Sequence, residues 1–220
     1  MYAAVVAMKP ARAAFTHREW GLIQTERTPA QVQRFLTALP YNRERTGATL
    51  RSFRAALRHG AAHCLEAALI AAVILEQHGY PPLLLSLASQ DKLDHVVFVF
   101  RARGRWGAVA RSRDTGLHGR RPVFRSLRDL TWSYFDPYVD LTGRITGYGL
   151  GDLSELGNYD WRFAQHNVWR VERYLQEIPH RALKSSDARY ERLHARYKEW
   201  KRQHPTGSPV YYDNRAQWML

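Results

Sequence analysis

Residues 60–87, GAAHCLEAALIAAVILEQHGYPPLLLSL, decide the fold. Within them, 63–78 is apolar nearly all round: Leu65, Ala68, Leu69, Ala72, Val73 and Leu75 leave no continuous polar stripe. That pattern predicts a helix buried in the centre of a domain. Gly79 is the expected C-terminal stop. Tyr80-Pro81-Pro82 forces an extended exit, and 83–87 reads as a strand. Further on, 95–101 is a run of β-branched and aromatic residues, a second strand. Ala102-Arg103-Gly104 then reads as a hairpin turn and 105–110 as the return strand.

Cys64 stands near the start of the buried helix, and His95 opens a strand. A thiol at a helix N-terminus feels the positive end of the dipole, which favours thiolate. A thiolate attacks acyl carbons when a histidine within hydrogen-bond reach shares its proton. A third group must hold that histidine in the right tautomer.

The segment 60–87, with DHVVFVF and GRWGAVA after it, resembles the core of the transglutaminase-like superfamily of cysteine enzymes, whose core is of cysteine-peptidase type. The resemblance covers about residues 58–115. It implies an α+β fold in which the buried Cys-led helix packs on a small antiparallel sheet, with helices from the C-terminal part flanking it. It also implies Cys64 as nucleophile and His95 as base. Separately, no cofactor or metal is expected. The expected organisation is one domain over 1–220. Its core spans about 28–115, and 116–220 forms a loop-rich and helical extension.

The third position departs from the family pattern, which has an acid shortly after the return-strand aromatic. Here Trp106 is followed by Gly107, Ala108, Val109 and Ala110, and no acid comes before Asp114. A two-residue hairpin loop sets His95 opposite Ser112, and a three-residue loop sets it opposite Arg111. Directly opposed residues have Cβ atoms about 5 Å apart, diagonal ones about 7–8 Å. Ser112 and Asp114 are therefore the candidates to meet the second ring nitrogen of His95. Asp94 points to the other face.

Other readings compete. A lone buried cysteine is ordinarily an inert small hydrophobe. His63 adjoins Cys64, but neighbours in a helix diverge by about 100°, so it is not the expected base. Glu66 points elsewhere and reads as a solvated or a buried structural acid rather than a base, and His59 and His78 as surface or helix-end residues.

Elsewhere, 1–27 reads as an irregular arm with one strand. A helix starts at Thr28 as N-cap with Pro29 in its first turn, and Pro40 ends it. Further helices are expected over 50–58, 126–134, 164–178 and 186–203. The stretch 136–158, with five glycines, is read mostly as loop. Arg120, Arg121 or Arg128 could there pair with Asp136, Asp140 or Asp152. The tail, with Val210, Tyr211, Tyr212 and Trp218, is expected to pack on this chain or another.

The 220 residues carry 33 Lys plus Arg against 20 Asp plus Glu, a net charge of +13. The whole excess lies in the windows 101–128 and 170–204. Such windows can attract phosphates or acidic partners, but no nucleic-acid motif accompanies them. The single cysteine excludes an intramolecular disulfide framework and any multi-cysteine zinc site. The longest apolar run, 67–75, is too short to span a bilayer. These features lead to an expected cytoplasmic protein with no membrane partner. Two functions follow from the sequence. One is a thiol-dependent hydrolase or transferase acting on an amide or ester, in a peptide, protein or smaller substrate. The other is an inactive module on the same fold, whose basic surface binds polyanions weakly or an acidic partner.

Overall fold

A computed structural model describes residues 9–207 and 214–220. The buried helix is α4, Cys64–Glu76, and every residue from Leu65 to Glu76 is buried. It packs on one face of a six-stranded antiparallel sheet, ordered β4-β3-β2-β1-β5-β6. The expected strands are β1 (Leu83–Ser89), β2 (His95–Ala102) and β3 (Arg105–Val109). Side-chain alternation divides them. Leu84, Val96, Phe98, Phe100 and Val109 join α4 in one core. Leu85, Leu87, Val97, Val99 and Ala108 pack on the other face with Leu130, Tyr134 and Phe135 of α5 (Leu127–Tyr138).

Three strands were not expected: β4 (Arg120–Phe124), β5 (Ile145–Asp152) and the short β6 (Arg181–Ala182). β5 corrects the loop reading of 136–158 and pairs with β1 along almost its whole length. Its glycines make room rather than turns. A Cβ at Gly151 would lie 2.9 Å from both Leu175 Cδ2 and Tyr174 Cε1 of α6 (Trp169–Glu177).

The N-terminal arm is also corrected. Residues 1–8 lie outside the described residues. Beyond them come a 3-10 turn at Arg12–Ala14 and α1 (His17–Thr25), capped by Thr16 and Glu19. α2 (Pro29–Ala38) has the expected Thr28 cap, and α3 (Phe53–His59) starts from Ser52. α7 (Asp187–Gln203) buries no residue fully. Val210, Tyr211 and Tyr212 lie outside the described residues. After them, α8 (Arg215–Trp218) packs on this chain's own β4, where the buried Arg120 guanidinium lies 3.8 Å from the Tyr134 ring and 4.6 Å from that of Trp218. Asp136 pairs with Arg189 at 2.7 Å and Asp140 with Arg113 at 3.5 Å, instead of the expected arginines.

The β2–β3 hairpin has a two-residue loop, Arg103-Gly104, both residues at positive φ, with Ala102 opposite Arg105. That register, continued, would put His95 opposite Ser112. The ladder instead ends at the pair Phe98–Val109. Gln33 of α2 ends it: its amide donates to Ala110 O and accepts from Ala110 N–H, both at 2.9 Å. Gly119 leaves space for this clamp, since a Cβ there would overlap Gln33 Oε1 and lie 2.6 Å from Ala108 O. Gly119→Ala is expected to cost about 1–3 kcal/mol by overpacking. A denaturant melt superimposable on that of the native chain would contradict this.

Candidate functional site

A cavity of about 520 Å³ opens where the N-terminus of α4 meets the starts of the neighbouring strand and loops. Cys64, His63, His95, Ser112, Asp114 and Tyr41 all line it. The structure thus brings together the four residues singled out from sequence and adds two more.

Cys64 is the first residue of α4, and His63 is its N-cap, with φ −85° and ψ −176°. Extended backbone at the cap invalidates the 100° spacing assumed for His63. Its ring folds back over the first turn. Nδ1 accepts from Leu65 N–H at 3.2 Å, and Nε2–H donates to Thr49 O at 2.9 Å. Two carboxylates stand near Nε2, Glu66 at 3.7 Å and Glu44 at 4.0 Å.

Glu66 is the buried structural acid expected. Its carboxylate accepts from Asn42 Nδ2, Thr49 Oγ1, Arg51 N–H and His63 N–H at 2.9–3.1 Å, and pairs with Arg51 Nη1 at 3.3 Å. These bonds fix residues 42–51 beneath the cavity. Burial pushes its carboxyl up. The His63 charge and the donated hydrogen bonds outweigh burial and hold it below the usual range.

Burial likewise pushes the Cys64 thiol up. Hydrogen bonding from His63 and His95, and the charge of both rings, bring it down to about 5. For His63, burial acts downward, but hydrogen bonding and charge from Cys64, the charge of Glu66 and the Thr49 carbonyl raise it to about 9. The Tyr41 phenol is raised, by burial first and then by the Cys64 charge.

His95 is buried at the first residue of β2. Alternation puts it with Val97 and Val99 on the α5 side of the sheet, its ring edge-on to Tyr134 at 5.8 Å. Nε2–H donates to the backbone carbonyl of Leu117 at 3.0 Å. This corrects the expectation that the second ring nitrogen meets Ser112 or Asp114. The Gln33 clamp ends the strand before Ser112, and the chain then coils. Ser112 Oγ accepts from Asp114 N–H at 3.3 Å, and Asp114 O accepts from Leu117 N–H at 3.1 Å. The two predicted residues therefore shape the turn that presents Leu117 O to the ring. The Asp114 carboxylate lies 3.5 Å from Arg113 Nε.

Sequence reasoning missed His63, because it was read as helical, and Leu117, because a carbonyl has no side-chain signature. The pattern His63-x-x-Glu66 was a usable sign, since a polar residue three before Glu is how a capping box reads. Of the Lys and Arg in the two basic windows, only Arg111 and Arg113 come near the site, Arg113 in the wall and Arg111 over the Tyr41 ring. The wall also carries Glu44, Asp94, Asp114, Asp140 and Glu172, so the basic excess is not concentrated there. Among the described residues no group of three or more His, Cys, Asp or Glu is placed to hold a metal ion.

A buried Cys-led helix lies on an antiparallel sheet, with a histidine opening the strand beside it. This is the α+β arrangement expected from the sequence, a Cys-led buried helix packed on an antiparallel sheet with flanking helices. No family model matches the chain, and no curated protein does. Among solved structures it is similar to Legionella pneumophila LapG, with a TM-score of 0.40 and 17% identity over 67% of this chain and 89% of that one. The EGTA-treated form of that protein gives 0.39 and 16% over the same shares. Likeness at this level carries no functional argument, and the site is read from its own geometry.

Proposed function

We propose that the chain is a thiol-dependent acyl hydrolase or acyl transferase acting on an amide or ester through Cys64 and His95. One observation carries this reading: a cysteine at the first position of a buried helix and an imidazole of fixed tautomer line one cavity. With Nε2–H committed to Leu117 O, the lone pair of His95 is on Nδ1. In the proposed reaction His95 takes the thiol proton as sulfur bonds to the carbonyl carbon, and returns it to the departing amine or alcohol. Water or an acceptor amine then attacks the thioester, giving up a proton through His95, and the thiol leaves. Cys64 N–H, a first-turn donor with no intrahelical acceptor, is the proposed oxyanion contact. Ser112 and Asp114 act as positioning residues through the 112–117 turn.

A p-nitrophenyl ester tests the reading. The native chain is expected to release p-nitrophenol catalytically, with an acyl group on Cys64 detectable by mass spectrometry, and Cys64→Ser to release none above background. A thiol that is alkylated readily but never acylated would overturn it and favour the binding module.

A further inference from the structure

We propose that the α6 side of the cavity is a subsite for a cationic side chain of the substrate, an ammonium or guanidinium held intact by Trp169, Glu172 and Ser86 while the neighbouring acyl group meets Cys64. The assignment names a substrate class for the proposed acyl chemistry and rests on that reading, but binding of the cation is tested apart from it.

Trp169, Glu172 and Gln176 of α6 line the cavity, with the buried Leu175 beside them. Their spacing of three and four residues is that of one helix face. Trp169 is 39% exposed. Glu172 is exposed and, among the described residues, has no hydrogen-bond or ion-pair partner. An aromatic face next to a free carboxylate attracts a cation through the ring quadrupole and the charge together. Leu175 offers apolar surface to the aliphatic stem of a Lys or Arg side chain.

Ser86 supplies the second polar surface. It is 3% exposed and lines the same cavity. His180 fixes its hydroxyl. Nδ1–H donates to Ile178 O at 2.9 Å, so Nε2 carries the lone pair and accepts Ser86 Oγ–H at 3.2 Å. The hydroxyl hydrogen is thereby committed, and the oxygen offers a ligand only acceptor capacity. Gly149, paired with Ser86 across the β1–β5 ladder, makes room for the ring: a Cβ there would lie 3.1 Å from both its Cε1 and its Nε2. Ser86 also pairs with Val96, the residue after His95, so this surface lies one strand over from the proposed base.

Charge agrees. The cavity wall holds five carboxylates against Arg43, Lys92 and Arg113, in a chain whose net charge is +13. Arg113 is engaged with Asp114 and Asp140, both at 3.5 Å. Arg170 and Arg173 flank Glu172 on α6 but are not part of the wall, and the Arg170 guanidinium lies 5.3 Å from the Tyr159 ring. A wall of acceptors and carboxylates selects a donor-bearing cation over an acidic group.

The test compares p-nitrophenyl esters of Nα-acetyl-lysine and Nα-acetyl-norleucine at about pH 7.5, where the lysine side chain is charged and an ordinary imidazole is mostly neutral. Norleucine keeps the stem without the charge, so the ratio of the two kcat/KM values does not depend on how much protein is folded. The native chain is expected to prefer lysine about tenfold, chiefly through KM, the combined size of an exposed ion pair and a cation–π contact. Glu172→Gln is expected to cut the ratio to about threefold or less, and Trp169→Leu and Ser86→Ala to lower it by about half each. A native ratio near one, or a Glu172→Gln ratio equal to the native one, overturns the assignment. Where no ester turns over, calorimetric titration of Cys64→Ala with the methylamides of the same two acetyl amino acids decides. Tighter binding of the lysine compound then upholds the subsite while the acyl chemistry fails. Equal binding of both overturns the subsite.

Discussion

Replacing His95 by Asn is expected to lower kcat/KM for ester hydrolysis by about 10²–10⁴-fold, the range of a lost general acid–base. In the same series Ser112→Ala and Asp114→Ala are each expected to cost about tenfold or less. The difference comes from what holds the ring. Leu117 O accepts Nε2–H at 3.0 Å, and no side-chain substitution removes a carbonyl. Ser112 Oγ and Asp114 O only set the turn beneath it. An orienting group fixes the tautomer, and losing the correct tautomer alone costs about 10⁴ in a serine protease triad. A backbone acceptor can do that part without a carboxylate. An Asp114→Ala loss as large as that of His95→Asn would mean that the carboxylate acts on the ring directly, and would overturn the assignment to Leu117.

What the sequence disclosed follows from where the information sits. The buried helix was legible because nine consecutive positions, 67–75, say the same thing, and its stop and the following turn agree with it. The hairpin was legible because Ala102-Arg103-Gly104 marks a tight turn between two strand-like runs, and of the two registers left open by the sequence the two-residue loop is the one observed. β5 was not, because Gly147, Gly149 and Gly151 look like loop composition until α6 is known to press on that strand. α1 was missed for a different reason: it is short, and its cap, Thr16 with Glu19, is more distinctive than its apolar face. At the site, Cys64 and His95 announce themselves by residue type. Their orientation does not, because it is set by a backbone carbonyl, by a cap geometry, and by Gln33 reaching across from α2 to end a ladder.

Arg162→Met is expected to destabilise the chain by about 3–5 kcal/mol, because it leaves Glu76 buried without its cation. Glu76 is the last residue of α4. Arg162 meets it with Nε at 2.7 Å and Nη2 at 2.8 Å, and its guanidinium lies 4.0 Å from the Trp161 ring. Burial pushes the Glu76 carboxyl up, and the arginine only partly offsets it. The sign of the pH dependence follows. A carboxyl with a folded pKa above its unfolded value near 4.3 adds stability at low pH and loses it as pH rises through the folded value. Without Arg162 the folded value rises further, so the deficit of the variant should be largest at neutral pH and shrink on acidification toward pH 4. Urea melts at both pH values check this, and a deficit independent of pH would show that lost packing on Trp161 dominates. Glu76→Leu with Arg162→Met removes both charges and should recover most of the loss, as apolar replacement of buried pairs does elsewhere. The pair also ties the 160–165 loop to the helix that carries the thiol, and α3 with its cap holds the same loop: Arg54 N–H donates to Arg162 O at 3.1 Å, and Ser52 Oγ to Ala164 O at 2.7 Å. The double variant keeps the local fold without the charges. It should therefore keep the native ester turnover, since Cys64 and His95 line the cavity at the opposite end of α4.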